Sequence, residues 1–357
     1  MQKVRANISL KAISHNALAF KNFTQTRVCA VVKANAYGHG AEQVANALHS
    51  IVDCFAVSLF DEAKAIRVAA CGKDILVLTP PLCDEEAYSG IVNGFLITVA
   101  DMDRAQKLVR LATTYRLPVR VHLKVNTGMN RYGMDVSTLE SVCKIFKNCP
   151  LVKVEGIYSH IYKTDEKTAN KQRKLFMKAQ DICKRYYPQC LAHISATYGA
   201  TLGSAFALDM VRIGIGLYGY YPDGAHISTK VKKSLGLQKA MRVTATVVDS
   251  RAYGFGGAGY GIPVWVKKGE RPPQNISVCR IGYADGILRR QSNGTEISLQ
   301  YANAACMDAS ILIGERLRGE ELCILQDAAK TAKQTGTISY EVLCAATRRA
   351  ELIYDGK

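Results

Sequence analysis

Strand-like apolar runs alternate with helical patterns from residue 28 to residue 213, and this alternation limits the fold more than any other feature of the chain. The apolar runs are Val28–Val32, Cys54–Ser58, Ile75–Thr79, Phe95–Thr98, Val119–Val125, Val152–Ser159, Leu191–Ser195 and Asp209–Ile213. They are short and mostly apolar throughout, as buried parallel strands are. Helical patterns lie between them at Ala41–Leu48, Asp61–Ala70, Asp84–Val92, Asp101–Tyr115, Val136–Phe146 and Asp165–Tyr187, with a short one after Thr197. Asp61, Asp84, Asp101 and Asp165 stand where helix caps belong, with a carboxylate to accept the open amides of a first turn. Eight runs with seven helices between them, about 25 residues to a unit, predict a (β/α)8 TIM barrel. A doubly wound open sheet is the competing architecture, but it calls for a G-x-G-x-x-G turn after its first strand. Here the first run leads into Lys33-Ala34-Asn35-Ala36-Tyr37-Gly38-His39-Gly40 instead, a turn at Gly-His-Gly being expected before the next helix.

After Tyr221-Pro222-Asp223-Gly224 the rhythm changes. A basic loop leads to shorter alternating runs at Arg242–Val248, Ile276–Ile281, Glu296–Leu299, Ser310–Ile313 and Leu322–Leu325, and Ile262–Val266 also reads as a strand. Gly and Pro punctuate the stretch heavily, as in a β domain. The expected division is a barrel over residues 1–235 and a C-terminal, mostly-β domain over 236–357, with residues 1–10 free to pair with the second.

Composition narrows the class. The chain is 48% hydrophobic, and no stretch approaches the ~18–20 apolar residues that span a bilayer. Met1-Gln2-Lys3-Val4-Arg5 has no apolar segment behind it, so a signal peptide is not expected and a cytoplasmic location is. Twelve cysteines show neither a CxxC pair nor metal-ligand spacing, and they read as small core residues in a reducing compartment. A net charge of +17 raises nucleic acid as a partner. The charge is dispersed, however, and no nucleic-acid motif accompanies it, so neither a nucleic-acid nor a membrane partner is expected.

In a barrel of this kind catalytic groups lie at the C-terminal ends of the strands. Those ends carry Lys33, Lys124, Asn126, His160, His193, Ser195 and Arg212. Nitrogen bases dominate and carboxylates are few, which favours an anionic cofactor or substrate over a metal. Arg212 runs into Ile213-Gly214-Ile215-Gly216, where a barrel commonly binds phosphate through backbone amides. A lysine at one strand end and a phosphate turn at another is the layout expected for pyridoxal 5'-phosphate held on a lysine. His122 and His193 also read as hydrogen-bonded core histidines.

The chain resembles the alanine racemases. The resemblance rests on Val31-Val32-Lys33-Ala34-Asn35-Ala36-Tyr37-Gly38-His39-Gly40, Lys124-Val125-Asn126-Thr127-Gly128-Met129-Asn130-Arg131-Tyr132-Gly133 and Glu155-Gly156-Ile157-Tyr158-Ser159-His160. It continues through Met210-Val211-Arg212-Ile213-Gly214, Ile281-Gly282-Tyr283-Ala284-Asp285-Gly286 and Cys306-Met307-Asp308. It implies a PLP-dependent enzyme that interconverts L- and D-alanine with two bases, Lys33 and Tyr260, and supplies D-amino acid for cell-wall peptidoglycan. It further implies cofactor contacts at Tyr37, Thr197, Arg212, Gly214 and Ile215, with His160 supporting Arg212. Arg131, Tyr283, Met307 and Asp308 would contact substrate, and Lys124, as a carbamate, would orient Arg131. In the family the tyrosine base comes from a partner subunit, so a head-to-tail homodimer is implied.

Tyr253, in a similar Ala-Tyr-Gly setting, is the alternative second base; the strand-like run Ile262–Val266 favours Tyr260. Three positions depart from the family pattern. Ala196 replaces an amide, Asn126 replaces an aspartate, and Thr347 stands where a tyrosine is common. The smaller, hydroxylated Thr347 would leave room for serine, so a serine or dual serine/alanine racemase is the alternative function, in keeping with a likeness to serine/alanine racemase domains. A non-catalytic PLP-binding barrel is more distant, because that type lacks the C-terminal domain.

Overall fold

The structure, a computed structural model, describes residues 4–260, 263–289 and 299–355. Fourteen strands are found among them. Arg5–Ile8 is β1, and the next eight are β2 (Arg27–Val31), β3 (Cys54–Val57), β4 (Asp74–Val77), β5 (Leu96–Val99), β6 (Val119–Lys124), β7 (Val152–Tyr158), β8 (Leu191–His193) and β9 (Met210–Ile213). The eight pair in parallel in the order β8-β7-β6-β5-β4-β3-β2-β9. No ladder joins β8 to β9, but the Asp209 amide donates to Ala192 O at 3.1 Å and the Arg212 amide to Ser195 O at 2.9 Å. The sheet thus curls into the TIM-like barrel that the alternation predicts.

The strands are buried almost throughout, with Val28, Cys29, Ala30, Phe55, Ala56, Leu76, Ile97, Val121 and Ile157 fully enclosed. Their uninterrupted apolar character reflects a sheet covered on one face by helices and filled by side chains on the other. Two of the four expected caps hold. Asp101 accepts from the Arg104 amide and Asp165 from the Thr168 amide, each at 2.8 Å. Asp61 and Asp84 instead sit inside the first turns of helices capped by Leu59 and Cys83. There they still favour the positive helix end.

The remaining strands are β10 (Met241–Ala252), β11 (Asn275–Cys279), β12 (Ser310–Ile313), β13 (Glu321–Leu325) and β14 (Glu351–Tyr354). They form a second sheet in the order β12-β11-β10-β1-β14, with β13 on β10. β1 lies antiparallel to β10 and parallel to β14, so the N-terminal residues belong to this sheet. The chain accordingly divides into Ile13–Ala36 with Ala41–Gln238, and Met1–Ala12 with Tyr37–Gly40 and Lys239–Lys357. The expected strand at Glu296–Leu299 lies outside the described residues except for Leu299.

The run Ile262–Val266 differs from expectation. Its described part begins with Pro263, which caps a short helix over Val264–Lys268. The helix buries Trp265 against Ala258, Ile276 and Ala302 and leaves Val266 exposed. Proline's fixed φ suits a helix start, and a single buried indole anchors one turn better than a strand would. Among the described residues no helix is long and apolar enough to cross a membrane. No group of three His, Cys, Asp or Glu side chains there could hold a metal. All twelve cysteines are free, and seven are buried.

Candidate active site

Lys33 follows β2 by one residue and is half-buried. The chain beyond it does what the sequence conceals. Ala34, Asn35, Ala36 and Tyr37 all take left-handed angles, with φ between 51° and 54°. Four such residues in succession cost roughly 1–2 kcal/mol each, so the surroundings must hold them. Glu62 accepts from the Ala34 amide at 2.6 Å while also accepting from the Ser58 and Leu59 amides. Asn35 Oδ1 accepts from the Ala41 amide at 2.8 Å and starts the next helix. Gly38 ends the turn at φ 84°, where a Cβ would lie 2.7 Å from both Leu343 O and Thr347 Oγ1. The expected Gly-His-Gly turn is therefore only the tail of a left-handed turn that begins directly after Lys33.

Arg212 lies on β9, which pairs with β2 in the register Cys29 to Arg212. Lys33 and Arg212 thus rise from neighbouring strands at the same rim. Arg212 is 3% exposed and has no carboxylate partner among the described residues. Its Nη2 donates to Ser159 O at 2.7 Å and to Ile194 O at 3.3 Å. Its Nη1 donates to His193 Nδ1 at 2.7 Å and to His193 O at 3.2 Å. His160, the expected support, is the looser neighbour, its Nδ1 3.4 Å from Nη2. Nε makes no hydrogen bond among the described residues.

Beyond His193 the chain continues inward, with His193 Nε2 and His122 Nδ1 2.9 Å apart. The His122 ring occupies space that only a glycine at 156 leaves, for a Cβ there would come within 2.5 Å of it. The Tyr158 ring stacks on His193 with centroids 4.9 Å apart and planes 3° from parallel. Burial holds His160 and His193 well below the ordinary imidazole range, and neighbouring Arg212 adds to this. Burial pushes His122 down to about 3. All three are neutral at ordinary pH.

Lys124 ends β6, 7% exposed, with Nζ 4.3 Å from the Tyr158 ring centroid. Burial drives its amine well below the usual lysine range, helped by the positive charges of Arg212 and Arg131. Arg131 is exposed in the loop after β6. Asn126 organises that loop, its Oδ1 accepting from the Gly128 and Asn130 amides at 3.0 and 3.2 Å. Thr197 is buried, and its Oγ1 accepts from the Gly216 amide at 3.2 Å. This places its hydroxyl against the turn that Gly214 and Ile215 open.

The other expected residues belong to the second unit. Tyr37 is buried there with its ring 5.9 Å from Tyr340, and burial raises its phenol above the usual range. The segment 303–308 gathers four more. Asn303 Nδ2 donates to Tyr260 O at 2.6 Å, and the Tyr283 amide donates to Cys306 O at 3.0 Å. Met307 is exposed, and Asp308 is held by Arg349 at 2.8 Å. Tyr260 itself is 74% exposed. Tyr253, the alternative, is committed elsewhere: its hydroxyl donates to Gly256 O and its ring packs edge-on against Trp265.

The donors present fit pyridoxal phosphate. A buried guanidinium that has, among the described residues, no counter-charge and one donor still open suits a ring nitrogen as acceptor. The Thr197 hydroxyl and the adjoining turn suit a phosphate, and the amine of Lys33 suits the carbonyl carbon.

The family profile described as the alanine racemase N-terminal domain matches residues 8–222, and that of the alanine racemase C-terminal domain matches residues 240–354. An alanine racemase 2 of Caldanaerobacter subterraneus subsp. tengcongensis is 32% identical over 381 residues, covering 99% of this chain and 95% of its own. Among solved structures, an alanine racemase of Clostridium difficile 630 superposes with a TM-score of 0.88 at 27% identity, over 99% of this chain and 96% of its own. An alanine racemase of Bartonella henselae with covalently bound pyridoxal phosphate superposes with a TM-score of 0.85 at 26% identity, over 99% of this chain and all of its own.

Proposed function

Because the chain belongs to the alanine racemase family, we propose that it interconverts L- and D-alanine with pyridoxal phosphate, using Lys33 and Tyr260 as its two bases. The observation that carries this is the strand-pair placement of Lys33 beside a buried Arg212 that has no carboxylate partner among the described residues. Most of the relatives are named for alanine, which favours it over the serine alternative, and the matched C-terminal domain speaks against a non-catalytic barrel.

When bound, the cofactor carries the amino acid's nitrogen on a conjugated ring that spreads the charge left at Cα after its proton departs. Everything else falls to the chain. Lys33 holds the cofactor and moves a proton at one face of Cα, and Tyr260 moves one at the other. Arg212 keeps a hydrogen bond at the ring nitrogen without giving up its proton, because a guanidinium is protonated at any working pH. That limits how much charge the ring accepts and favours prompt return of a proton to Cα. Thr197 and the turn at Gly214 and Ile215 hold the phosphate, with Tyr37 as a further donor. Arg131 binds the substrate carboxylate beside Tyr283, Met307 and Asp308, and His160 lends Arg212 a second imidazole.

Lys124 takes up carbon dioxide as a carbamate in this reading: the neutral amine forms the N–C bond and releases a proton to solvent. The product places a negative charge beside Arg131, where an ammonium would repel it. A head-to-tail homodimer and a cytoplasmic role in supplying D-alanine for peptidoglycan complete the proposal, both on the strength of family membership. Purified protein loaded with cofactor should be yellow and should turn L-alanine into the D-enantiomer, as followed by circular dichroism. Lys33→Ala should lose both properties, and activity retained without Lys33 would refute the mechanism.

A further inference from the structure

We propose that the C-terminal unit carries a binding site for a small polyphosphate anion, in the cavity that the exposed residues Lys267, Lys268, Arg289 and Lys333 line. The cavity measures about 790 Å3 and lies wholly within that unit, apart from every residue assigned above to racemisation. Its size falls in the ordinary range of small-molecule sites, roughly 300–1,000 Å3.

Among the described residues its lining has four cationic side chains and no carboxylate. Several cations elsewhere in the same unit are paired: Arg349 with Asp285 and Asp308, Lys239 with Asp327, and Arg318 with Asp249. None of the four in the cavity forms an ion pair with a described residue. They are also fixed by different elements. Lys267 and Lys268 close the helix Val264–Lys268, Lys333 lies in the last turn of the helix Ala328–Thr335, and Arg289 follows the turn Tyr283–Asp285. Each helix end contributes only about half a negative charge, far short of four positive ones. Like charges gathered in a recess repel one another and focus a positive potential, which a multiply charged anion relieves.

The chemistry of the lining limits the ligand further. Lysines bind phosphate as point charges, and Thr335 and Gln334 add neutral polar groups. Among the described residues no aromatic side chain lines the cavity, so they offer no platform on which a nucleobase could stack. Recognition is therefore of linked phosphates, whether inorganic or carried by a nucleotide, and the attached group is not read.

Calorimetric titration of inorganic tripolyphosphate into the cofactor-loaded protein tests this. Saturable binding at one site per chain is expected, weakening at least tenfold in Lys267→Glu/Lys333→Glu and falling with added salt. ATP should bind within a few-fold of tripolyphosphate, and AMP should bind more weakly than either. Lys230→Glu/Lys233→Glu makes the same charge change on another helix and should leave affinity within twofold. An equal loss there would show attraction to net charge alone and overturn the site. Absence of saturation, or binding confined to cofactor-free protein, would overturn it as well. Lys268→Gln, a milder change, should still weaken binding several-fold, so the proposal remains exposed to failure if the double variant does not fold.

Discussion

Arg212 Nη1 donates to His193 Nδ1 across 2.7 Å, and this bond sets the protonation of two histidines at once. The guanidinium always carries its protons, so His193 Nδ1 must accept. A neutral His193 then has its hydrogen on Nε2 and donates to His122 Nδ1 across 2.9 Å. His122 in turn holds its hydrogen on Nε2. Arg212 is thereby fixed by neutral acceptors, and its charge remains available at the rim of the barrel.

His193→Leu removes the shorter imidazole acceptor and leaves a buried guanidinium donor poorly satisfied. The loss should lower unfolding free energy by about 1–3 kcal/mol, read from the urea midpoint. Pyridoxal phosphate should also dissociate more readily, because Arg212 is then free to turn. Unchanged stability together with unchanged cofactor retention would remove His193 from this role.

The neutral histidines make stability depend on pH. In the unfolded chain each takes up a proton near pH 6.5, whereas burial holds the folded values lower, to about 3 for His122. Below pH 6.5 the unfolded state therefore binds more protons. The stability these groups contribute is whole above that pH and is lost as pH falls toward 3. The slope is at most about 1.4 kcal/mol per pH unit for each histidine. His122→Gln should reduce it by one proton's worth in denaturation curves between pH 6 and pH 4; a slope equal to that of the parent would count against a buried neutral His122.

Tyr260 and Tyr253 separate cleanly. Tyr260 is exposed, while the Tyr253 hydroxyl is bonded to Gly256 O. Tyr260→Phe should slow racemisation by about 10²–10⁴-fold, the usual contribution of a positioned acid or base. Solvent-deuterium incorporation should fall more for one enantiomer than for the other. Tyr253→Phe should change activity only modestly, and a larger effect there would transfer the assignment.

The depressed amine of Lys124 can be probed directly. Protein equilibrated with 13C-bicarbonate should give a carbamate carbon resonance that Lys124→Met abolishes. The same substitution should raise KM for alanine more than it lowers kcat if, as proposed, the carbamate orients Arg131. A resonance that survives the substitution would place the carbamate on another lysine.

Much of this was legible from the chain. The eight barrel strands lie where short apolar runs occur, because a buried parallel strand must be apolar along its whole length. Lys33, Lys124, His160 and Arg212 could be placed at strand ends for the same reason. The caps were half legible: Asp101 and Asp165 hold first-turn amides, but those of the helices at residues 60 and 84 fall on Leu59 and Cys83. The helix at Val264–Lys268 was misread as a strand because five residues give no period long enough to tell the two apart.

What the sequence determined by itself was the order of elements, the barrel and the set of polar groups at its rim, for these follow from local periodicity and strand polarity. Tertiary structure decided which groups meet. His122 and His193 are 71 positions apart, and their contact depends on the glycine at 156 on the strand between them. The left-handed turn after Lys33 likewise rests on Glu62, 28 positions beyond Ala34. The residues of this turn have no intrinsic liking for four left-handed conformations in a row, so contacts such as that of the distant Glu62 carboxylate, held in place by its own helix, must help make that conformation the stable one.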